Sequence, residues 1–569
     1  MFTARQDEEC LRRTAELPDN IADRVALHAR TDPEGLALIE HDTGATVTWR
    51  ALDRAADAFA ARLLDDGFRK GDVLATSLPL LKEHVFLLLA CYRVGVILAP
   101  LDLRLQAGEL RAALEKLRPR GYLYAGAPQL MPVLREVAGT IPGVARWVQF
   151  QKTAENLLPG AVWVKDWVRG IALRYLRARL TGAVRRARRA VGKRDGCLVI
   201  FTTGSTGSPK AALLCHEGIL VQNVALSVGF DLRPTDRLLV NLPPSHVGCT
   251  TELLGTALYR GITSVLLHVF DAGKSLDAME RHRVTILGQI PALFNLEWRH
   301  TTYAARDLSS VRAAIYGGQG VPRAFLEQLR GMAPAIGTGL GLTETSGFCT
   351  YTAVGATTDD LARGIGWDQP RCPLTVRAPM REDGTAGAAL APGEVGELCF
   401  EGPQLFLGYL HDPEATRRAV STDGVLYTGD LGAYTREGGL RLSGRARLVV
   451  KPKGYQVFPG DVEEHILRAL PGRAAAAAIV GAEHAVYSEG IVAFVEAAPG
   501  ADLTADEVAG ACGDIASYAR PGHVEVLPQG GIPLNRVAKT DYLALRERAA
   551  AIVERLRAEG RWDARRTRA

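Results

Sequence analysis

The stretch that most constrains this chain is residues 198–210, where a short apolar segment breaks into a loop of glycines and hydroxyls. The apolar segment predicts a buried strand. Glycines let a backbone approach an anion closely, and hydroxyls, backbone N–H groups and a lysine donate to phosphate oxygens. The loop ends in Ser208-Pro209-Lys210 and not in Gly-Lys-Ser/Thr, so it is not a Walker A loop. The pattern favours a polyphosphate-binding loop over a mobile Ser/Gly linker.

Residues 201–210 resemble the signature loop of the adenylate-forming superfamily, which includes acyl-CoA synthetases, aryl-CoA ligases, luciferases and the adenylation domains of peptide synthetases. The usual form is aromatic-Thr-Ser-Gly-Thr-Thr-Gly-x-Pro-Lys, and this copy departs from it only by Ser/Thr exchanges. The resemblance implies that the loop holds the β- and γ-phosphates of ATP. The implied contacts are Thr202, Thr203, Gly204, Ser205, Thr206, Gly207 and Lys210.

Two later glycine-rich segments resemble further motifs of the superfamily. Residues 314–322 are similar to the turn on which members lay the adenine base, which implies contacts from Gly317, Gly318 and Gln319. Residues 338–345 are similar to the Tyr-Gly-x-Thr-Glu motif, whose threonine contacts phosphate and whose glutamate holds Mg²⁺. The residues implied by this second motif are Gly339, Leu340, Gly341, Thr343 and Glu344, with Glu344 as the metal ligand. Leu340 replaces the aromatic residue that packs on adenine in other members.

A histidine in residues 241–248 lies among two prolines and a glycine, which suggests a shaped loop. His246 matches the histidine of the superfamily's gate motif beside the acid-binding pocket, whereas Ser245 stands where an aromatic residue is common. A lone histidine is normally a core or surface residue, so both interpretations stay open. The expected pocket walls, residues 246–254 and 288–294 with the strand at Tyr316, are mostly small or apolar. They favour a hydrophobic or aromatic carboxylate.

A Thr-Gly-Asp motif in residues 427–432 matches that of the superfamily closely. A carboxylate held at a tight turn accepts both hydroxyls of a ribose, and this is the role that the resemblance implies for Asp430. Arg445 matches the arginine that contacts the ribose or the α-phosphate. Both residues are therefore expected to bind the nucleotide.

The resemblance also divides the chain into two domains with separate tasks. An N-terminal adenylation domain is expected over residues 1–444 and a small mobile domain over 445–569, with a hinge near Arg447. Lys451 and Lys453 lie in a segment similar to the loop that swings in for the second half-reaction. Lys539 matches the C-terminal lysine that reaches the acid and the α-phosphate.

The fold class follows from alternating patterns and from the resemblance together. Between residues 47 and 116, helical apolar spacing alternates with short apolar runs, and such alternation is typical of a parallel α/β sheet. The resemblance adds the arrangement within this class. We expect a large N-terminal domain of two α/β subdomains and a β-rich subdomain, followed by a small α+β C-terminal domain.

Composition places limits on partners and compartment. With 68 basic and 63 acidic residues, the net charge of +5 is modest and gives no reason to expect nucleic acid. Nine scattered cysteines without a CxxC pair favour reduced thiols over disulfides or zinc. The N-terminus lacks the form of a signal peptide, so a cytoplasmic protein is expected.

Residues 163–194 stand out by their arginines. Trp163, Trp167, Ile171 and Tyr175 recur every four residues, which predicts a basic amphipathic helix with an arginine-rich tail. Such a helix contacts an anionic membrane or an acidic carrier protein weakly. More often it is a solvated helix whose arginines snorkel over the domain.

Taken together, the motifs imply an ATP- and Mg²⁺-dependent ligase that adenylates an acid, releases pyrophosphate and transfers the acyl group to coenzyme A. His246, Thr343, Glu344 and Lys539 are its implied catalytic residues. Adenylation for another acceptor or of another acid remains an alternative: a carrier protein, an amine, or nitrous acid activated for diazotisation of an aromatic amine. A non-enzymatic scaffold is the third interpretation, and the retained Lys210, Glu344, Asp430, Arg445 and Lys539 argue against it.

Overall fold

The computed structural model describes residues 3–141, 143–150, 157–202, 209–318, 320–445, 448–452, 455, 457–535 and 539–563. Its contacts divide the chain into two compact units. Unit 1 comprises Met1–Gly317, Arg323–Pro373 and Phe400–Leu426, and unit 2 comprises Gly318–Pro322, Leu374–Cys399 and Tyr427–Ala569. The predicted domain boundary after residue 444 stays a prediction.

The helices form two sets by unit. Those of unit 1 are α1 (Ala4–Ala15), α2 (Ile21–Thr31), α3 (Trp49–Asp65), α4 (Lys82–Val94), α5 (Ala107–Leu117), α6 (Met131–Val137), α7 (Val164–Trp167), α8 (Ile171–Thr181), α9 (Ala183–Arg189), α10 (His216–Gly229), α11 (Thr256–Arg260), α12 (Ala272–Arg281), α13 (Pro291–Trp298), α14 (Arg323–Met332), α15 (Thr358–Arg363) and α16 (Pro413–Ala419). Those of unit 2 are α17 (Pro459–Ala469), α18 (Ala505–Ala511) and α19 (Tyr542–Ala558). Short 3-10 turns cover Tyr303–Ala305 and Thr343–Thr345, and a π-helical turn covers Gly248–Gly255.

The strands are numbered in chain order. They are β1 (Leu36–Glu40), β2 (Ala45–Thr48), β3 (Val73–Ser77), β4 (Ile97–Pro100), β5 (Gly121–Ala125), β6 (Arg146–Phe150), β7 (Val162–Trp163), β8 (Gly196–Thr202), β9 (Lys210–Cys215), β10 (Arg237–Val240), β11 (Thr263–Leu266), β12 (Ile286–Gln289), β13 (Ala313–Tyr316), β14 (Ala335–Gly337), β15 (Gly341–Leu342), β16 (Gly347–Phe348), β17 (Thr350–Tyr351), β18 (Trp367–Asp368), β19 (Leu374–Arg377), β20 (Gly396–Phe400), β21 (Gly408–Tyr409), β22 (Leu426–Thr435), β23 (Gly439–Arg445), β24 (Ala474–His484), β25 (Ser488–Ala497) and β26 (His523–Leu527).

Unit 1 contains two large sheets with helices between their strands, which confirms the α/β class. The first has the order β14-β13-β12-β10-β11-β1-β2, and it is parallel except for the edge pairing of β2. The second has the order β21-β9-β8-β4-β3-β5-β6-β7. Its strands from β8 to β7 are parallel, whereas β9 and β21 join as antiparallel neighbours.

Local sequence explains how these elements begin and end. The N-cap of α3 is Thr48, whose hydroxyl accepts a hydrogen bond from the N–H of Ala51 at 3.3 Å. Leu52 and Phe59 lie on the buried face of α3, as their helical spacing predicts. The buried helix α4 ends at Gly95, whose φ of 73° lies in the left-handed region that glycine adopts without strain.

Unit 2 contains the β-rich sheet β19-β20-β22-β23 and the smaller sheet β24-β25-β26. Apolar residues of β24 and β25 alternate between the two faces of the smaller sheet, as the period of a strand requires. Ile479 and Ile491 belong to one core cluster with Ile466 of α17, and Val480 belongs to another with Leu545 of α19. This is the α+β arrangement expected for the C-terminal part.

The single helix predicted over residues 163–194 is wrong. Gly170 and Gly182 take left-handed φ values of 71° and 68°, and they separate α7, α8 and α9. Trp167 is drawn into the core because its indole N–H donates to Asp66 at 2.7 Å. The four-residue recurrence of Trp163, Trp167, Ile171 and Tyr175 is therefore divided between different elements.

The nine cysteines are all buried with free thiols. Among the described residues, none of the helices combines the length and the apolar character that crossing a bilayer requires.

Candidate functional site

Four neighbouring strands of the first sheet carry predicted site residues at one edge. The strands β10, β12, β13 and β14 are parallel, so their carboxyl ends meet at the same edge. The His246 loop follows β10, the 288–294 wall begins in β12, Gly317 follows β13, and residues 338–344 follow β14. Crevices beyond the carboxyl ends of parallel strands are where α/β sheets bind ligands. The structure thus brings the predicted pocket and part of the predicted adenine turn together.

His246 lies in a loop that its own contacts hold in shape. Its backbone N–H donates to the carbonyl of Pro243 at 2.9 Å, and its Nδ1 accepts from the N–H of Gly248 at 3.0 Å. Because Nδ1 accepts, the neutral ring carries its proton on Nε2. Thr250, in the π-helical turn that follows, connects this turn to the loop, because its hydroxyl donates to the carbonyl of Pro244 at 2.8 Å. Such turns are frequent at functional sites.

The two predicted pocket walls contact each other directly. An added Cβ on Gly288 would lie 2.4 Å from Cδ2 of Leu253, so the side chain of Leu253 in the π-helical turn packs directly on the backbone of β12. Leu253 and Phe294 are both buried. Neither wall, residues 246–254 or 288–294, contains a lysine or arginine. The two segments consist mostly of small or apolar residues, with Glu252 as their one acid.

A buried polar network supports the wall at β12. Gln289 donates to Glu297 Oε2 at 3.1 Å, and Ser275 donates to Glu297 Oε1 at 2.6 Å. Asn241, at the end of β10, donates to the side-chain oxygen of Gln289 at 3.2 Å. Burial raises the pKa of Glu297 to about 7. The network joins α12 and α13 to the strand ends that carry the pocket.

The ring of Phe348 packs against two of the glycines that are predicted to contact the nucleotide. An added Cβ on Gly317 would lie 2.9 Å from Cζ of Phe348, and one on Gly339 would lie 2.9 Å from its Cδ1. The backbone at Gly339 also approaches Thr350, whose hydroxyl accepts from the N–H of Leu340 at 2.8 Å. Gly317 is thus packed against the Phe348 ring, whereas Gly339 is required mainly by the carbonyl oxygen of Thr350, which would lie 1.9 Å from an added Cβ.

Glu344 and Lys210 both contact the same tyrosine. The hydroxyl of Tyr409 donates to Glu344 Oε1 at 2.6 Å, and Nζ of Lys210 lies 4.9 Å from the centre of the Tyr409 ring. The pairing of β21 with β9 sets this geometry, because Tyr409 stands opposite Ala212, two residues beyond Lys210. Burial, followed by the Glu344 charge, raises the pKa of Tyr409. Its hydroxyl therefore stays a proton donor at neutral pH.

The remaining residues of these motifs have simpler placements. Thr202 ends β8 and pairs with Lys210, the first residue of β9, so the two bracket the signature loop. Gly341 lies in β15, and Thr343 begins the 3-10 turn that contains Glu344. The predicted Thr203, Gly204, Ser205, Thr206 and Gly207, together with Gln319, Arg447 and Lys453, lie outside the described residues.

In unit 2, the two predicted nucleotide contacts occupy paired register positions of a hairpin. Asp430 of β22 stands directly opposite Arg445 of β23 in the strand register. Asp430 is buried and follows Gly429, which has a left-handed φ of 74°. Glu397 accepts from the N–H of Gly429 at 2.8 Å, and burial, with a smaller contribution from Asp430, raises its pKa. Gly318 also belongs to unit 2.

The predicted lysines of unit 2 lie in two separate places. The N–H of Lys539 donates to the side chain of Asn535 at 3.1 Å, and its carbonyl accepts from the N–H of Asn535 at 2.7 Å. Lys539 is half-buried. Lys451 is exposed, and its backbone N–H donates to Glu489.

The sequence reasoning missed Tyr409, Phe348 and Glu297. Only the pairing of β21 with β9 brings Tyr409 to Glu344, 65 positions away. An acid inside the apolar helix α13 was the one available signal for Glu297.

Comparisons with known proteins identify the family of the chain. Residues 25–410 match the family model of the AMP-binding enzymes. The chain is 28% identical to 4-coumarate–CoA ligase 3 of Arabidopsis thaliana over 83% of its length and 81% of the relative's. It is 28% identical to the long-chain-fatty-acid–CoA ligase FadD13 of Mycobacterium tuberculosis over 94% and 99% of the two chains. The anthranilate CoA ligase AuaEII, solved with anthranoyl-AMP, superposes with a TM-score of 0.79 at 20% identity, covering 95% of this chain and all of that one (100%), and so shows the shared fold.

Proposed function

The chain belongs to the AMP-binding enzyme family and is an ATP-dependent, AMP-forming ligase, and from that premise we propose that it joins a hydrophobic or aromatic carboxylic acid to coenzyme A. The observation that carries this proposal is the contact of Leu253 with Gly288, which joins two walls made mostly of small or apolar residues. A second carboxylate on the substrate would need a cation nearby, and neither wall sequence contains one. Relatives named for 4-coumarate and long-chain fatty acids support the same substrate class.

The first half-reaction joins two anions, so positioning and charge neutralisation dominate its catalysis. An oxygen of the acid attacks the α-phosphorus of ATP, the bond from that phosphorus to the bridging oxygen breaks, and pyrophosphate leaves with the electron pair. Lys210 and the loop after Thr202 hold the β- and γ-phosphates, and Thr343 contacts phosphate. Lys539 neutralises charge between the acid and the α-phosphate. His246 borders the acid at the pocket entrance.

The nucleoside is bound by two sets of residues. Asp430 accepts the ribose hydroxyls, and Arg445 contacts the ribose or the α-phosphate. The backbone of Gly317, Gly318, Gly339 and Gly341 borders the adenine, with Leu340 as an apolar face. The cross-strand placement of Asp430 and Arg445 supports their joint role.

Mg²⁺ fits the Glu344 site by its chemistry. A carboxylate oxygen is the ligand type that Mg²⁺ prefers, and the ion commonly takes one or two carboxylates together with substrate phosphates and water. Tyr409 donates to Oε1 of Glu344 and orients the carboxylate, which would hold the metal. When bound there, the ion supplies charge neutralisation on the phosphates.

The second half-reaction transfers the acyl group to the thiol of coenzyme A and releases AMP. We assign it to a rearrangement of residues 445–569 about the hinge near Arg447. In this step Lys539 withdraws and the segment with Lys451 and Lys453 serves the acceptor. The thiol loses its proton, its sulfur attacks the acyl carbon, and the bond to the AMP oxygen breaks.

A panel of acids tests the proposal. The protein is incubated with MgATP and single carboxylic acids or nitrite, each with and without coenzyme A and an aromatic amine. Pyrophosphate and thioester are then measured. We expect aromatic or long-chain acids to give thioester only when coenzyme A is present. Pyrophosphate release with nitrite, or turnover indifferent to coenzyme A, would contradict the proposed acceptor.

A further inference from the structure

Helix α8 exposes three leucines that no part of the described chain covers. Leu173, Leu176 and Leu180 are 72%, 50% and 80% exposed, although buried positions are the usual place for leucine. Their spacing of three and four residues places them within an arc of about 100° on one helix face. We call these three residues the leucine face.

The opposite side of this segment is anchored to the core of unit 1. Arg174 forms an ion pair with Asp65 at 2.7 Å, and Ala178 is buried. Just before α8, Trp167 packs on Phe59 with ring centres 5.8 Å apart. Because the helix is already seated by its other side, the leucine face is not needed to hold it in place.

The segment that carries the leucine face is strongly basic. Residues 169–194 contain no acid, and their basic residues are Arg169, Arg174, Arg177, Arg179, Arg185, Arg186, Arg188, Arg189, Lys193 and Arg194. Arg177 lies on the same arc as the leucines, and Arg185 and Arg189 are exposed on α9. In the described part of the chain, the side chains of these three arginines have no carboxylate or hydrogen-bond partner.

We propose that the leucine face and these three arginines dock the enzyme onto an anionic lipid surface. Leucines enter the boundary between headgroups and acyl chains, while arginines reach the phosphates with their long side chains. The charge is complementary to a membrane that carries anionic lipids, and each basic residue near such a surface strengthens binding about fivefold. The inference does not depend on which acid the ligase activates.

A lipid surface fits these residues better than a protein partner. The leucine face offers no hydrogen-bonding group that would specify a partner's sequence, and insertion into lipid needs only apolar area with adjacent cations. A second copy of the chain would bring arginines against arginines, because the same basic segment would face itself.

Sedimentation with vesicles tests the inference on the full chain. Vesicles of equal parts phosphatidylglycerol and phosphatidylcholine are compared with vesicles of phosphatidylcholine alone. We expect binding to the anionic vesicles that weakens as salt rises. The triple variant Leu173→Ser, Leu176→Ser, Leu180→Ser should lose about tenfold or more in vesicle affinity. The triple variant Arg177→Ala, Arg185→Ala, Arg189→Ala should lose about a hundredfold.

Matched control variants distinguish binding through the leucine face and the three arginines from effects of net charge or of exposed apolar side chains in general. Arg54→Ala, Arg299→Ala, Arg417→Ala removes three exposed arginines elsewhere, and Leu11→Ser with Leu296→Ser removes exposed leucines elsewhere. Both controls should bind vesicles like the wild type. Equal binding by the leucine-face variant, no binding by the wild type, or a wild-type dimer that the leucine-face variant turns into a monomer would overturn the proposal.

Discussion

The hydroxyl of Tyr409 donates a hydrogen bond to Glu344 Oε1 at 2.6 Å, while Lys210 lies over the ring of the same tyrosine at 4.9 Å. One side chain thus contacts two residues that the motifs had assigned separately, one to Mg²⁺ and one to phosphate. The contact depends on the short strand β21, which pairs with β9 directly beyond the signature loop. Tyr409 is therefore placed to align both residues.

Replacing Tyr409 by phenylalanine keeps the ring beneath Lys210 and removes the hydrogen bond to Glu344. A hydrogen bond to a charged group contributes about 1.5–3 kcal/mol, so we expect adenylation to slow about 10- to 100-fold with a higher requirement for Mg²⁺. Initial rates of pyrophosphate release across a Mg²⁺ titration measure both effects. Tyr351→Phe, which removes a buried hydroxyl bonded to the carbonyl of Phe348, is the control for stability alone. An unchanged Mg²⁺ requirement would exclude the alignment of Glu344.

Asp430→Asn tests the ribose contact. The substitution keeps the size of the side chain and removes the charge that lets one carboxylate accept both hydroxyls. We expect the KM for ATP to rise about tenfold or more, in line with the loss of a charge-assisted hydrogen bond. Asp383→Asn, in an exposed turn of the same unit, should leave the KM unchanged. Equal KM values for Asp430→Asn and the wild type would remove Asp430 from the nucleotide site.

Lys539 and Lys451 are expected to act in different half-reactions. Lys539→Ala is expected to abolish formation of acyl-AMP while leaving thioester formation from supplied acyl-AMP largely intact. Lys451→Ala is expected to show the opposite pattern, because it is assigned to the second step. Single-turnover assays of each half-reaction measure the two rates separately. Equal loss of both steps in the Lys539→Ala variant would contradict the assignment of separate roles.

Buried titratable groups set the pH dependence of stability. Burial raises the pKa of Glu297 from its usual 4.5 to about 7, so its contribution to stability is full below pH 4.5 and is lost as the pH rises through 7. Burial lowers the pKa of His84 to about 4 and of His216 to about 3, so their contribution is full above pH 6.5 and is lost in acid.

The variant Glu297→Gln tests the loss of stability that is expected as the pH rises through the pKa of Glu297. Between pH 5 and pH 8 the wild type should lose about 3 kcal/mol more unfolding free energy than the variant, measured by denaturant titration at each pH. Glu463→Gln provides the counterpart in unit 2, where burial raises the pKa of Glu463 to about 7. The exposed substitution Glu8→Gln is the control. If the unfolding free energies of the wild type and Glu297→Gln change equally with pH, Glu297 does not have a raised pKa.

The sequence predicted elements whose signals are local. Helical spacing with an N-cap gave α3, and the apolar run before the glycine loop gave β8. The segment 163–194 was mispredicted because the apolar recurrence continues through Gly170 and Gly182, which separate the helices. In addition, Trp167 donates a hydrogen bond to Asp66, which lies 101 positions earlier in the sequence. Contacts of this kind depend on the folded arrangement and leave no local pattern.

In the candidate site, too, residues in local motifs could be predicted from the sequence, whereas contacts that depend on the fold could not. Motif residues such as Glu344, Asp430 and Lys210 were named from the chain, since each lies in a recognisable segment. Tyr409 could not be named in this way, because its role depends on which strand pairs with β9. Arg445 was named from a motif, yet its place opposite Asp430 follows only from the register of the hairpin.

The central claim is an acyl-adenylate formed before coenzyme A takes part. Exchange of labelled pyrophosphate into ATP, measured with MgATP and the preferred acid but without coenzyme A, tests it most directly. We predict exchange that requires the acid and is lost in the Lys539→Ala variant. No exchange until coenzyme A is added, or formation of ADP and phosphate, would contradict the account.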